Sequence, residues 1–457
     1  MESPNISWFI AAGVLVAGLI LLLSLRGRAE RDLAASARSA VSTGSTPVDA
    51  ESKPDPAATA AATEAVGSAM IEAGYSVNTV REALEDISRA NGLPASQIVV
   101  FPTALLVSAR GEDDHHTGAA SSGERRLLLC QIDEVQRTVD AARTGVLDPA
   151  STISRITRVR EMALPYGPVL RVLGYVLLSI ALSVLLGASW EGVALSGGLG
   201  AVVGAALLVG ERLPSRYGAL ITVAVAFTVA LVVFLLLRAG LGPRIVPALI
   251  APLVVLLPGT LLTTAVLELS TGQMISGAGR LAAGGMQLVL LCAGILTAGA
   301  LVGVPVFDFT EHPEALGPIA PWIAVAVFGV GIALHQCAPR RSLPWLLLVL
   351  YIAYAAQVIG DIFLGGVLSA FVGALAVTPV TALVARQPSG PAALVSFVPA
   401  FWLLVPGALG LVGVANVLGG DGSGVNSLIA TIATMVAIAL GVLAGSIVST
   451  KMQRPAL

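Results

Sequence analysis

Charge is what this chain has least of. Only 12% of its 457 residues are charged, against roughly 25% in an ordinary soluble domain, while 56% are apolar. Lysine is confined to Lys53 and Lys451, so arginine carries nearly all the positive charge, and no Gly-Lys-Ser/Thr exists to form a phosphate loop. The net charge of −2 offers no basic field to nucleic acid. Cysteine is limited to Cys130, Cys292 and Cys337, with no CxxC, which excludes a disulfide framework. There is no GxSxG, no HExxH and no GxGxxG after a strand. No metal or cofactor is expected, and the chain does not read as an enzyme.

The scarce charges are also uneven. Residues 1–164 hold 35 of the 54, and residues 165–450 hold 17. A stretch that long with so few charges is not a soluble domain. Repeated apolar runs near 20 residues, separated by short polar breaks, mark membrane helices. The expected fold is an α-helical integral membrane protein: ten core spans in two inverted five-helix repeats, an N-terminal anchor helix and a small cytoplasmic α+β domain.

Residues 1–25 are expected to form a transmembrane anchor, with ISWFIAAGVLVAGLILLLSL followed by Arg26, Arg28 and Arg31. A signal peptide is the alternative, but no basic stretch precedes the apolar run. Residues 26–63, rich in Ala, Ser, Thr and Pro, read as a flexible linker. Residues 64–163 read as the α+β domain: a helix over 64–91, strands at Ile98–Phe101, Ala104–Ser108 and Leu127–Ile132, a polar loop RGEDDHHTGAASSGE, and helices at 134–144 and 150–162. Residues 164–310 and 311–450 are the two membrane repeats, and 451–457 a cytoplasmic tail. The ten spans fall at 169–187, 190–210, 219–238, 245–269, 283–303, 319–337, 344–359, 362–385, 394–416 and 427–449. Arg212, Arg216, Arg280, Arg340, Arg341, Arg386, Lys451 and Arg454 fall in alternate loops, and only Arg238 and Arg244, in an opposite loop, break the pattern. The positive-inside rule then puts the α+β domain and the C-terminus in the cytoplasm of a bacterial inner membrane.

The repeat rests on two landmarks. Gly167-Pro168 precedes Pro258-Gly259 by 91 residues, and Gly317-Pro318 precedes Pro406-Gly407 by 89. Five spans per half is odd, so the second copy enters the membrane from the opposite side, as in secondary transporters. Each Pro-Gly removes a backbone donor inside an apolar span, and the freed carbonyls must find partners or line a polar cavity. Candidate substrate-binding residues are therefore Pro258, Gly259, Thr260, Thr263, Thr264, Pro406, Gly407 and Asn416. The threonines either bond back to their own helix or face substrate. Glu268 and Asp361, with Glu191, are the carboxylates at or within spans. Glu268 and Asp361 are the candidate proton-coupling groups, because a bound proton neutralises a costly charge. Gly192, Ser196, Gly200 and Gly204 form a small-residue stripe that either packs a neighbouring helix or lines a path. His115-His116 beside Asp113-Asp114 reads as a solvated loop rather than a metal site. Ser121 or Ser122 with His116 lacks any oxyanion turn.

The order of parts resembles the bacterial threonine/serine exporters (ThrE-type): EAGYSVNTVREALEDISRANGL, then VVFPTALLVSA, a polar hairpin, a helix ending in RTG, a membrane half opening at YGP, and a second related half. The resemblance covers about residues 64–450. It implies export of L-threonine and L-serine from the cytoplasm, driven by the proton motive force. The expected partners are a small amino-acid substrate, protons and the lipid bilayer, with no nucleic acid. Self-association into a homo-oligomer is left open. The alternative function is a membrane-anchored ligand sensor or scaffold with a cytoplasmic binding domain. An intramembrane hydrolase is a third class, for which no nucleophile and base converge.

Overall fold

The computed structural model describes residues 7–21, 24, 55–110, 115–123, 126–242, 245–303, 316–404 and 423–453. Helix α1 (Ser7–Leu21) precedes an α+β unit. Asp55 starts that unit by accepting hydrogen bonds from Ala57 N and Ala58 N at 2.9 and 3.1 Å, with Pro56 at the first helical position. Folded structure thus begins inside the segment expected to be a linker. The single helix expected over 64–91 is two: α2 (Pro56–Ala73) and α3 (Val77–Ala90), broken at Gly74 with φ +90°. That angle suits glycine and stops α2.

Three antiparallel strands follow in the order β1 (Gln97–Val100), β2 (Ala104–Arg110) and β3 (His115–Ser121). Strand β3 occupies part of the expected polar loop, and Leu129 begins a helix where a strand was expected. Along β2, Leu105 and Val107 are buried while Leu106 is exposed, so one sheet face is covered. Helix α2 lies on that face, close enough that a Cβ at Gly67 would stand 2.6 Å from Leu105 Cδ2. Helices α4 (Leu129–Arg143) and α5 (Pro149–Arg160) complete the unit. Met70, Leu84, Ile87, Leu105 and Ile156 are fully buried in its core.

The apolar remainder is helical: α6 (Pro168–Leu185), α7 (Trp190–Gly210), α8 (Gly218–Arg238), a broken pair of α9 (Pro247–Ile250) with a 3₁₀ turn (Ala251–Leu256) and α10 (Gly259–Ser270), and then α11 (Met274–Val302). The second part has α12 (Ala320–His335), α13 (Leu343–Leu364), α14 (Gly366–Ala385), α15 (Ala393–Leu403) and α16 (Ser423–Gln453). Seven of the described helices are long and apolar enough to cross a membrane, and the broken pair makes eight. Helices α12 and α15 are shorter, at 16 and 11 residues. Helix α11 starts at Met274, well before the expected 283, which draws Arg280 into the helix and into the interior.

Small residues set the helix crossings. A Cβ at Gly200 or Gly204 would strike Ser179 or Tyr175 of α6, so the glycine stripe of α7 is a packing surface. Helices α6 and α12 cross backbone to backbone at Gly174 and Gly331. A Cβ at Gly294 of α11 would meet Val223 O, Ala226 and Phe227 N of α8. One at Gly441 of α16 would meet Phe371 O, Ala374 and Leu375 N of α14. These are the same contacts in the same order, about 148 residues apart in sequence. Helix α1 packs on the second part, with Ala11 buried beside Trp322 and Ala355.

Candidate functional site

The span over 245–270 is broken where the sequence places Pro258-Gly259. Pro258, with φ −81° and ψ 29°, is the residue before α10, and the two segments meet at a 58° bend. Two of the carbonyls around the break have found donors. Tyr175 Oη of α6 donates to Pro252 O at 2.6 Å, and Gln287 Nε2 of α11 donates to Leu256 O at 3.2 Å. Glycine at 284 brings α11 against the break: a Cβ there would lie 3.6 Å from Pro258 Cβ. Of the threonines past the break, Thr260 and Thr264 are half-buried. Thr263 is 5% exposed and its hydroxyl has no hydrogen-bond partner among the described residues, so it does not bond back to its own helix. Pro406, Gly407 and Asn416 lie outside the described residues.

Ten residues beyond the break, Glu268 is fully buried near the end of α10. Its Oε2 accepts from Ser276 Oγ at 2.7 Å and lies 3.1 Å from Arg280 Nε, both on α11. Its Oε1 accepts from Val77 N at 3.1 Å. Val77 is the first residue of α3, where the helix dipole favours an anion. Arg280 in turn donates to Tyr75 O at 3.1 Å. Around this centre Gln273 Nε2 donates to Asn78 Oδ1 at 2.8 Å, and Asn78 Nδ2 reaches Thr271 Oγ1 at 3.4 Å. Tyr75 donates from its phenol to Gln136 Oε1 at 2.6 Å, and burial pushes that phenol well above its ordinary pKa, so it stays a donor. The α2–α3 turn is therefore held by the first membrane part through two of its backbone groups.

A second carboxylate makes the reverse connection. Asp133 of α4 is 2% exposed and accepts from Ala392 N at 2.9 Å, from Arg137 Nε at 3.1 Å and from Arg341. Ala333, Ala338, Ala392 and Val395 of the second part share the core of the α+β unit, and Leu129 N donates to Gln336 O at 2.9 Å. Beside this contact Arg171 of α6 donates to His335 O at 3.1 Å and pairs with both oxygens of Glu211.

Asp361 sits exposed near the end of α13 and forms no ion pair among the described residues; Glu191 is exposed in the first turn of α7. His116 and Ser121 stand at opposite ends of β3, about 17 Å apart at the rise of a strand, too far for a dyad. Asp113 and Asp114 lie outside the described residues. Cys130 is buried, which pushes its thiol up to about 11 and leaves it a poor nucleophile. The partners of Glu268 were not read from the sequence. The available signal was Arg280, one of the few charges in the apolar part, twelve residues on across a short turn.

The described residues thus form a helical multi-pass membrane domain carrying a broken apolar span, with an α+β unit seated on it. Comparison with protein families matches residues 62–302, just over half of the chain, to ThrE, "Putative threonine/serine exporter". The chain belongs to this family, a transporter family and not an enzyme class. No curated protein and no solved structure matches the chain.

Proposed function

We propose that the protein is a secondary active transporter that exports small hydroxy amino acids, L-threonine and L-serine, from the cytoplasm by alternating access across the bacterial inner membrane. The observation that carries this reading is the broken span at Pro258-Gly259, with the buried Thr263 hydroxyl just beyond it, which has no partner among the described residues. A buried hydroxyl without a partner costs about 1–3 kcal/mol, which a polar ligand recovers. The substrate site lies at this break and at Pro406-Gly407, with Thr260, Thr263, Thr264 and Asn416 as side-chain contacts. The positive end of α10 would face the substrate carboxylate.

The two halves form an inverted repeat of five spans each. The matched contacts of Gly294 on α8 and Gly441 on α14 support it, as does the reciprocal crossing of Gly174 and Gly331. The α+β unit and the C-terminus face the cytoplasm, following the arginine distribution. The proton motive force drives export. Glu268 and Asp361 are the coupling candidates: Glu268 because a proton there would compete with its cationic partner Arg280, Asp361 because it carries a charge at a span end that forms no ion pair among the described residues.

The test is transport by the purified protein in proteoliposomes with an imposed pH gradient. Labelled serine and threonine should accumulate against their gradients. Glu268→Gln or Asp361→Asn should abolish gradient-driven transport yet leave exchange of labelled for unlabelled substrate, which in Glu268→Gln is read at saturating serine. Full gradient-driven transport in both variants would remove both residues from the coupling role.

A further inference from the structure

Glu268 and Arg280 both belong to the first membrane part, yet each spends a bond on the α+β unit. Glu268 accepts the Val77 N–H and Arg280 donates to the Tyr75 carbonyl, at 3.1 Å each. Both bonds go to backbone atoms of one turn, on either side of Ser76. The pocket presents a carboxylate oxygen to a donor and a guanidinium to an acceptor, with the Ser276 hydroxyl between α10 and α11 completing it. Those are the complements of an ammonium and a carboxylate on one small molecule. With the turn in place all three side chains are at least nine-tenths buried, and Glu268 and Arg280 face each other across 3.1 Å.

We propose that Glu268, Arg280 and Ser276 form a receiving site for a free α-amino acid, and that the Tyr75–Val77 turn fills it in this conformation as a plug. The inference rests on the transport reading above and adds a second station about 15 Å from the break along α10, at 1.5 Å per residue over ten residues. Glu268 binds the ammonium, Arg280 the α-carboxylate, and the turn swings out to admit them. Withdrawal of the turn leaves the Glu268–Arg280 pair intact, since both partners stay in the membrane part. Binding of substrate and docking of the α+β unit are then mutually exclusive at this site. Amino acid on the cytoplasmic side would itself open the plug.

The turn offers a clean perturbation. Val77 is the first residue of α3 and Ser76 has φ −67° and ψ 151°, a conformation that suits the residue before proline. Val77→Pro therefore removes the N–H that Glu268 accepts while preserving the helix start. Val77→Ala trims the side chain and keeps the N–H. Equilibrium binding of labelled L-serine to the purified full-length protein is measured for the parent, Val77→Pro, Val77→Ala, Glu268→Gln and Arg280→Gln. A hydrogen bond to a charged group is worth about tenfold in an equilibrium. Val77→Pro should then bind serine about tenfold tighter and Val77→Ala no more than twofold tighter. Glu268→Gln and Arg280→Gln should lose binding at least tenfold. N-acetylserine and serine methyl ester, which lack the ammonium and the carboxylate, should not compete. A gain of affinity cannot come from misfolding, so Val77→Pro decides even if the charge variants are unstable. Unchanged affinity in Val77→Pro overturns the plug. Parent-like binding in Glu268→Gln and Arg280→Gln, with transport of serine by the parent intact, overturns the receiving site and leaves the transport reading standing. A parent that neither binds nor transports serine, threonine or any other α-amino acid overturns both.

Discussion

Gly174 of α6 and Gly331 of α12 meet face to face. A Cβ at Gly174 would stand 2.7 Å from Gly331 O, and one at Gly331 would stand 2.8 Å from Gly174 O. The relationship is reciprocal. No side chain fits between them, and the obstructing atoms are backbone, which cannot rotate away.

Gly174→Leu and Gly331→Leu should each therefore force the two helices apart, at a cost of about 1–3 kcal/mol or more. Thermal unfolding of the purified variants, followed by size-exclusion elution, should show a lowered midpoint for both. Gly198→Ala and Gly279→Ala, where a Cβ would meet nothing within 4 Å, should behave like the parent. Equal tolerance at all four positions would show that the crossing is loose.

Gly259→Leu should block transport by filling the space at the break, while Thr263→Val should raise the substrate KM more than it lowers kcat. The buried Thr263 hydroxyl has no hydrogen-bond partner among the described residues, so its loss breaks no bond there and, on the proposed reading, leaves the substrate one bond short. Initial rates over a range of serine concentrations separate the two effects. A Thr263→Val variant with parent KM would place the side-chain contact elsewhere.

Asp133→Asn should loosen the α+β unit from the second membrane part without unfolding either. Asp133 is 2% exposed and holds Arg137, Arg341 and the Ala392 N–H. Removing its charge weakens all three bonds. Hydrogen exchange should speed up around Ala392 and Leu129 and stay unchanged around Gly294. Unchanged exchange at Ala392 would mean that the shared apolar contact of Ala338, Ala392 and Val395 suffices.

Single cysteines report the sidedness. The three native cysteines are buried. Ser122→Cys and Met452→Cys should resist a membrane-impermeant thiol reagent added to intact cells, and His312→Cys should react. Ready labelling of residue 452 from outside would invert the orientation.

Much of this was legible in the sequence. Apolar length gave the helices of the membrane part, and Pro258-Gly259 gave the break, because proline removes a donor whatever surrounds it. Other features needed three dimensions. The split between α2 and α3 was hidden because apolar spacing continues across Gly74 and only its positive φ turns the chain. Strand β3 has no bulky apolar residue; it is a strand because β2 offers it a partner, and Gly118 lets it close on Glu64 of α2. The partners of Glu268 come from α3 and α11, far apart in sequence, so no local pattern announces them. Helix α1 reads as an anchor by composition, yet Gly18 brings it against Ile352 of α13. Deleting residues 1–50 should accordingly lower thermal stability while leaving transport, since both halves remain.

The most direct test of the account is counterflow in proteoliposomes. Vesicles holding the purified protein are loaded with unlabelled L-threonine and diluted into a trace of labelled L-threonine. The account predicts a transient accumulation of label above equilibrium, competed by L-serine and absent in Gly259→Leu vesicles. Label that rises no higher than in protein-free vesicles, from protein that elutes as a folded species, would contradict it.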